Sequence, residues 1–274
     1  MKQAKYFVDS KWLAQQLNNP LVVIVDCRFK LATPDWGKQE YDRAHIEGAY
    51  YLSLDRDLSA KVQLHGGRHP LPDLDVLAQK FASMGIVKDK TLVVAYDDSR
   101  MAFASRLWWL LRYLGHDRVA LLDGGWNDWI KHDYPVTKAI PKAKSGDFNP
   151  QPRSDWLVDI NTVKSAQNKD EIIIVDSRDS DRYAGLTEPI DPVAGSIPTA
   201  VNSPWKQTTD EAGYFKPLTA QQQLWDEYNT AAEIIVYCGS GVTACVNLLS
   251  LTVVGFENAK LYPGGWSDWC SYLT

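Results

Sequence analysis

Cysteine is scarce in this chain, and the few cysteines present do not make a metal site. Cys27, Cys238, Cys245 and Cys270 are the only four in 274 residues, and none form Cys-x-x-Cys or a zinc-ligand spacing. That pattern excludes a disulfide scaffold and a zinc module. Long apolar runs are missing too. None approaches the ~20 residues that span a bilayer, and the opening Met1–Ser10 lacks the apolar stretch of a secretory leader. Nor is there a basic block: the net charge is -5 and the pI about 5.6, a balance that repels nucleic-acid phosphates. The expectation is a cytoplasmic protein with reduced thiols and neither a nucleic-acid nor a membrane partner. Hydrophobic residues at 45% and charged residues at 23% give the composition of a folded globular protein.

Among these few cysteines, one stands out. Cys238 follows the apolar run Glu233-Ile-Ile-Val-Tyr237 and opens Cys-Gly-Ser-Gly-Val-Thr-Ala, ending at Ala244. The next residues, Cys245 to Leu251, carry a helical apolar pattern. This places a thiol at a strand end, on a glycine-spaced loop, at a helix N-terminus. Backbone N–H groups and the helix dipole favour negative charge there. Settings of this kind bring a cysteine pKa from roughly 8.5 to between about 3.5 and 7.5. The chemistry is therefore expected at Cys238, while Cys245 reads as a small buried hydrophobe and Cys27 and Cys270 as structural or incidental.

The chain is also written twice. Val22 to Arg28 reads Val-Val-Ile-Val-Asp-Cys-Arg, and Ile172 to Arg178 reads Ile-Ile-Ile-Val-Asp-Ser-Arg. Leu121-Leu-Asp-Gly-Gly-Trp-Asn-Asp-Trp129 and Leu261-Tyr-Pro-Gly-Gly-Trp-Ser-Asp-Trp269 agree at six of nine positions, which is enough to align the halves. Between these motifs, Thr91 to Tyr96 matches Glu233 to Tyr237, each followed by a loop and an apolar helix pattern such as Phe103 to Leu114. Unbroken apolar strands alternating with helices predict an α/β fold, each half a mostly parallel sheet flanked by helices. The proline-rich, aperiodic stretch 137–154 reads as an extended linker. The expected domains are thus 1–136 and 155–274, a typical size.

Duplication supplies an internal control. Features in both halves serve the fold, and features in one half are candidates for function. Arg28 and Arg178 each follow the Asp of their strand and read as structural ion pairs. The Gly-Gly-Trp segments read as tight turns with an anchoring indole, and Tyr41 and Tyr183 as packing residues. His45, in a turn motif of the first half, reads as structural too. The loops differ: Asp97 stands where Cys238 stands. A carboxylate is no sulfur nucleophile, and with Asp98 beside it the loop repels anions. The first half therefore reads as catalytically inactive and the second as active. Arg182 aligns with Glu40 and is specific to the active half, where its cation suits a carboxylate or sulfonate-like group.

These features resemble the tandem-domain rhodanese superfamily, the thiosulfate and mercaptopyruvate sulfurtransferases. The resemblance spans the whole chain: both Val-Asp-x-Arg strands, Tyr41-Asp-Arg-Ala-His-Ile-Glu-Gly-Ala49, the Cys238 loop and both Gly-Gly-Trp segments. The loop Cys-Gly-Ser-Gly-Val-Thr is similar to the mercaptopyruvate branch. The resemblance implies that Asp55 is an acid reaching toward the active loop. It also implies that His69, in Gly-Arg-His-Pro-Leu-Pro, lies near the substrate. Arg182 then matches one of two arginines that hold the donor carboxylate, and Ser240 the hydroxyl of an acid–serine–cysteine arrangement. The chain departs from the pattern where Thr187 to Val193 lacks the second arginine, and where Ser196 and Thr199 replace a histidine and a glycine.

The implied reaction is a two-step sulfur transfer. The Cys238 thiolate takes the sulfane sulfur of 3-mercaptopyruvate, or of thiosulfate, and passes it to an acceptor such as thioredoxin, another thiol or cyanide. The N–H groups of Gly239, Ser240, Gly241, Val242, Thr243 and Ala244 would stabilise the sulfur anion. Arg182 would orient the donor, and Ser240, backed by Asp55 or His69, would deliver a proton. No metal or organic cofactor is called for. Phosphatases with related domains need Cys-x5-Arg, and the sixth residue after Cys238 is Ala244. A non-catalytic tandem binding module would be expected to lose the nucleophile in both halves.

Overall fold

Apolar, β-branched runs make the central strands. Val22–Asp26 and Leu92–Tyr96 lie side by side in one sheet, Ile172–Asp176 and Glu233–Tyr237 in another. The structure, a computed structural model, describes residues 5–273. The first sheet runs Phe7–Val8, Val119–Leu122, Leu92–Tyr96, Val22–Asp26, Tyr50–Tyr51, with every neighbour parallel. The second runs Ala259–Leu261, Glu233–Tyr237, Ile172–Asp176, Val201–Asn202, again parallel. Registers repeat as well. Asp26 pairs across from Tyr96, and Asp176 across from Tyr237. Parallel neighbours require crossovers, and helices provide them. The expected α/β architecture, two parallel sheets each flanked by helices, is what the chain adopts.

Each sheet has its own core. Leu13, Ile24, Val94, Tyr96, Leu122 and Trp129 are buried together in the first unit. Val163, Ile174, Ile235, Tyr237, Trp266 and Trp269 are buried together in the second. The helix Ala244–Val254 is buried on nearly every side, as its near-continuous apolar sequence requires. Its two buried polar side chains, Asn247 and Ser250, tie it to neighbouring segments, although Asn247 Oδ1 has no hydrogen-bond partner among the described residues. Asn247 donates to Ser177 Oγ (2.9 Å) and to the Ser203 carbonyl (2.7 Å), and Ser250 donates to Gln221 Oε1 at 2.5 Å.

The division of the chain differs from the simple halves expected. One unit comprises residues up to Ala60, Leu71–Arg153 and Glu211–Phe215; the other comprises Lys61–Pro70, Ser154–Asp210 and Lys216 onward. Residues 61–70, expected in the first domain, cluster with the second unit because side chains near the chain end hold them. Gly66 N–H donates to Asp268 Oδ1 (2.7 Å), Arg68 N–H to Ser267 Oγ (3.1 Å), and the His65 ring stacks on Tyr272. The stretch expected as a linker is extended, yet it is laid along the first unit. Lys144 and Gly146 donate to the carbonyls of Ser83 and Ala82, both at 2.8 Å, and Phe148 packs edge-on against Phe81. Arg153 closes it with a two-pronged contact to Asp117 (2.7 and 2.8 Å), which holds that carboxyl down at about 2. Backbone hydrogen bonds of this kind leave no mark on composition.

Candidate active site

The Asp-x-Arg motif shared by the two halves is a strand-end clamp in both. Arg28 reaches Asp26 through Nε and Nη2 (2.6–3.1 Å) and donates to the Ala44 carbonyl. Arg178 reaches Asp176 through the same nitrogens (2.7–3.1 Å) and donates to the Gly195 carbonyl. Burial alone would lower the Arg178 guanidinium; its bonds to Asp176 raise it above its ordinary value. Tyr41 and Tyr183 are equivalent too, donating to Ala49 O and Ala200 O. His45, stacked on Tyr41 with Nδ1 2.6 Å from the Tyr41 carbonyl, is a structural residue.

The Gly-Gly-Trp turn is the platform under the loop. Trp266 N–H donates to the Cys238 carbonyl (2.8 Å) and Ser267 N–H to the Gly239 carbonyl (2.9 Å). Gly265 sits at φ +60, and a Cβ there would come within 2.5 Å of the Cys238 carbonyl, so no larger residue fits. In the first unit Trp126 N–H donates to the Asp97 carbonyl in the same way.

The loop itself differs between units. Asp97 is 3% exposed, and its carboxylate accepts four backbone N–H bonds. Ser99 and Met101 donate to Oδ1 (2.8 and 3.0 Å), Phe103 and Ala104 to Oδ2 (both 2.8 Å). Burial nevertheless raises its carboxyl to about 6, against the pull of those amides. Strand–loop–helix geometry here builds an anion nest. In the second unit the loop 238–243 joins the strand Glu233–Tyr237 to the helix Ala244–Val254, with Gly241 at φ +71. Cys238 is free and 2% exposed. Cys245 is fully buried, its Sγ 3.4 Å from the Gly241 carbonyl, and Cys27 and Cys270 are buried as well.

Around Cys238 the second unit gathers most of the residues expected. His69 is buried and shares a 2.7 Å hydrogen bond between Nδ1 and Ser240 Oγ. Arg182, on the short helix Ser180–Tyr183, is the one whose surroundings differ from expectation. Its Nε and Nη2 are already engaged by Glu188 (3.2 and 2.7 Å) and Asp191 (3.2 Å). Only Nη1 is turned toward Gly239 without such a partner. Asp55 belongs to the first unit, exposed in a turn. Three charged residues escaped the sequence reading: Arg68, which pairs with Asp191, and the two acids Glu188 and Asp191. The signal was present in the segment that lacks an arginine, since it carries two acids beside Arg182 instead.

The Cys238 loop, the hydroxyl–imidazole pair of Ser240 and His69 and the guanidinium groups of Arg68 and Arg182 thus lie together in the second unit. The rhodanese-like domain profile matches residues 9–132 and 159–272, and the chain belongs to that family. It is 41% identical over 265 residues to a probable 3-mercaptopyruvate sulfurtransferase of Pseudomonas aeruginosa, covering 94% of this chain and 92% of the relative. A putative thiosulfate sulfurtransferase of Mycobacterium tuberculosis is 34% identical over 260 residues, covering 91% and 88%. A crystal structure from Escherichia coli, described as a 3-mercaptopyruvate sulfotransferase, superposes with a TM-score of 0.83 at 30% identity, covering 96% and 99%. This protein is accordingly a sulfurtransferase enzyme of the rhodanese type.

Proposed function

We propose that the chain moves a sulfane sulfur from 3-mercaptopyruvate to a thiol acceptor or cyanide through a persulfide on Cys238. The Cys238 thiolate attacks the donor sulfur, and the carbon–sulfur bond breaks with its electron pair leaving on pyruvate enolate. Ser240, hydrogen-bonded to His69, supplies the proton that turns the enolate into pyruvate. The persulfide then yields its outer sulfur to the acceptor, and the thiolate returns. Thioredoxin suits the acceptor role as a small dithiol protein, and four free cysteines accord with a cytoplasmic setting.

The observation that carries this reading is the Asp97 nest. An aspartate oxygen stands three bonds from Cα (Cβ, Cγ, Oδ), as does the outer sulfur of a cysteine persulfide (Cβ, Sγ, Sδ). Four amides already bind an anion at that distance in the unreactive repeat. The matching loop with Cys238 is therefore suited to hold Cys–S–S⁻ through the amides of Gly239 to Ala244. The Pseudomonas relative's name supports mercaptopyruvate as the donor, and the Mycobacterium relative's name keeps thiosulfate as the second reading.

Intact mass after exposure to mercaptopyruvate should show one added sulfur, absent from Cys238→Ser. A retained adduct in that variant overturns the assignment. A kcat/KM for thiosulfate above that for mercaptopyruvate reverses the donor.

A further inference from the structure

Two guanidinium groups in the second unit converge on one small volume beside Cys238. Arg68 Nη2 lies 2.8 Å, and Arg182 Nη1 3.7 Å, from where a Cβ on residue 239 would stand. Neither nitrogen makes a hydrogen bond among the described residues, since Arg68 spends Nη1 on Asp191 and Arg182 spends Nε and Nη2 on Glu188 and Asp191. Gly239 follows the nucleophile directly, and a side chain there would press on Arg68 Nη2, so the glycine lets both guanidinium groups approach the loop beside Cys238.

One carboxylate sets their spacing. Asp191, with its side chain 2% exposed, takes Arg68 on Oδ1 and Arg182 on Oδ2. Behind Arg182 stands Glu188, which also accepts from Arg178 at 3.3 Å, and Arg178 is held by Asp176. Charges thus alternate along a row: Arg68, Asp191, Arg182, Glu188, Arg178, Asp176. Three cations balance three carboxylates within it. Arg68 ends the row on the solvent side, its side chain 26% exposed against 16% for Arg182 and 1% for Arg178. Burial lowers the Arg68 guanidinium, and the Cys238 sulfur draws it back up.

We infer that Arg68 is the second arm of a two-armed clamp for the donor carboxylate, with Arg182 the first and Asp191 the positioning residue that sets their separation. The inference rests on the sulfurtransferase reading of Cys238 and names the donor class: a small thiol acid whose carboxylate lies a few bonds from the transferable sulfur. A planar carboxylate accepts one N–H from each arm, a charge-assisted geometry that ammonium groups reproduce poorly. Arg68 has a single carboxylate partner, so it is the cation best placed to balance the added negative charge. A donor without a carboxylate gains nothing from the arms.

The test compares 3-mercaptopyruvate with a donor that carries no carboxylate, the hydropersulfide of 2-mercaptoethanol, whose outer sulfur passes to the Cys238 thiolate as 2-mercaptoethanol leaves, reading Cys238 persulfide by intact mass and steady-state rates on the full chain. Arg68→Ala should raise KM for mercaptopyruvate roughly ten- to hundredfold, the worth of one charge-assisted hydrogen bond, while kcat changes little. Persulfide formation from the donor without a carboxylate should be unaffected. Arg68→Lys should recover part of the loss, and Asp191→Asn should raise the same KM. An unchanged KM in Arg68→Ala overturns the inference, as do equal losses on both donors in Arg68→Ala and Arg68→Gln. Failure of the unaltered protein to take sulfur on Cys238 from either donor removes the underlying reading instead.

Discussion

At the scale of single residues, duplication shows what one position costs. Gly48 and Thr199 occupy the same place in the turn motif of the two units, and both have positive φ, +77 and +66. Glycine tolerates that region, whereas a β-branched side chain is strained there by about 1–2 kcal/mol. Thr199 is exposed, so its side chain repays little of this. Thr199→Gly is expected to stabilise the protein by about 1 kcal/mol after the added unfolded-state entropy of glycine. Thermal unfolding should show a higher Tm, and a lower one would mean the threonine is held by more than its backbone.

At the scale of elements, the strand–loop–helix unit is an anion holder whichever residue leads it. Asp97 gives a direct handle on that property. Its carboxyl sits at about 6, pushed up by burial, so the native state binds this proton more tightly than the unfolded chain does. The sign follows from linkage. Stability from this group is fully present below about 3.8 and is lost as pH rises to 6, a difference of roughly 3 kcal/mol. Carboxyl carbon NMR should find a titration near pH 6 that vanishes in Asp97→Asn. The fall in unfolding free energy between pH 4 and 7 should be shallower in the same variant.

At the scale of the molecule, much of the design was legible in the residues. The central strands were plain because they are buried on both faces and therefore unbroken in apolar character. The Cys238 loop was plain because a lone cysteine stood where its repeat carried an acid. His69 and Ser240 entered through the resemblance, and the hydrogen bond between them joins positions 171 residues apart. Arg68 and Asp191 lie 123 residues apart, a pairing with no trace in periodicity or local spacing. Arg182 stands out in the sequence as a bare cation, whereas its pairing with Glu188 and Asp191, which makes it the middle of a charge row, does not. The path of residues 137–153 was hidden for another reason. It is fixed mostly by main-chain bonds, which leave no periodic pattern in the residues that make them.

The excursion of residues 61–70 into the second unit carries a practical lesson about cutting this gene. A fragment starting at Ser154 would keep the thiol, its glycine-lined cradle and Arg182, while leaving behind both the imidazole and the outer guanidinium. Such a truncation should still be alkylated at Cys238, yet turn over mercaptopyruvate slowly and bind pyruvate weakly. Adding back a synthetic peptide of positions 61–70 should rescue part of that grip, because the decapeptide brings its own anchors for Ser267, Asp268 and Tyr272. The half that looks self-sufficient on paper borrows its specificity from a strip of chain encoded far upstream.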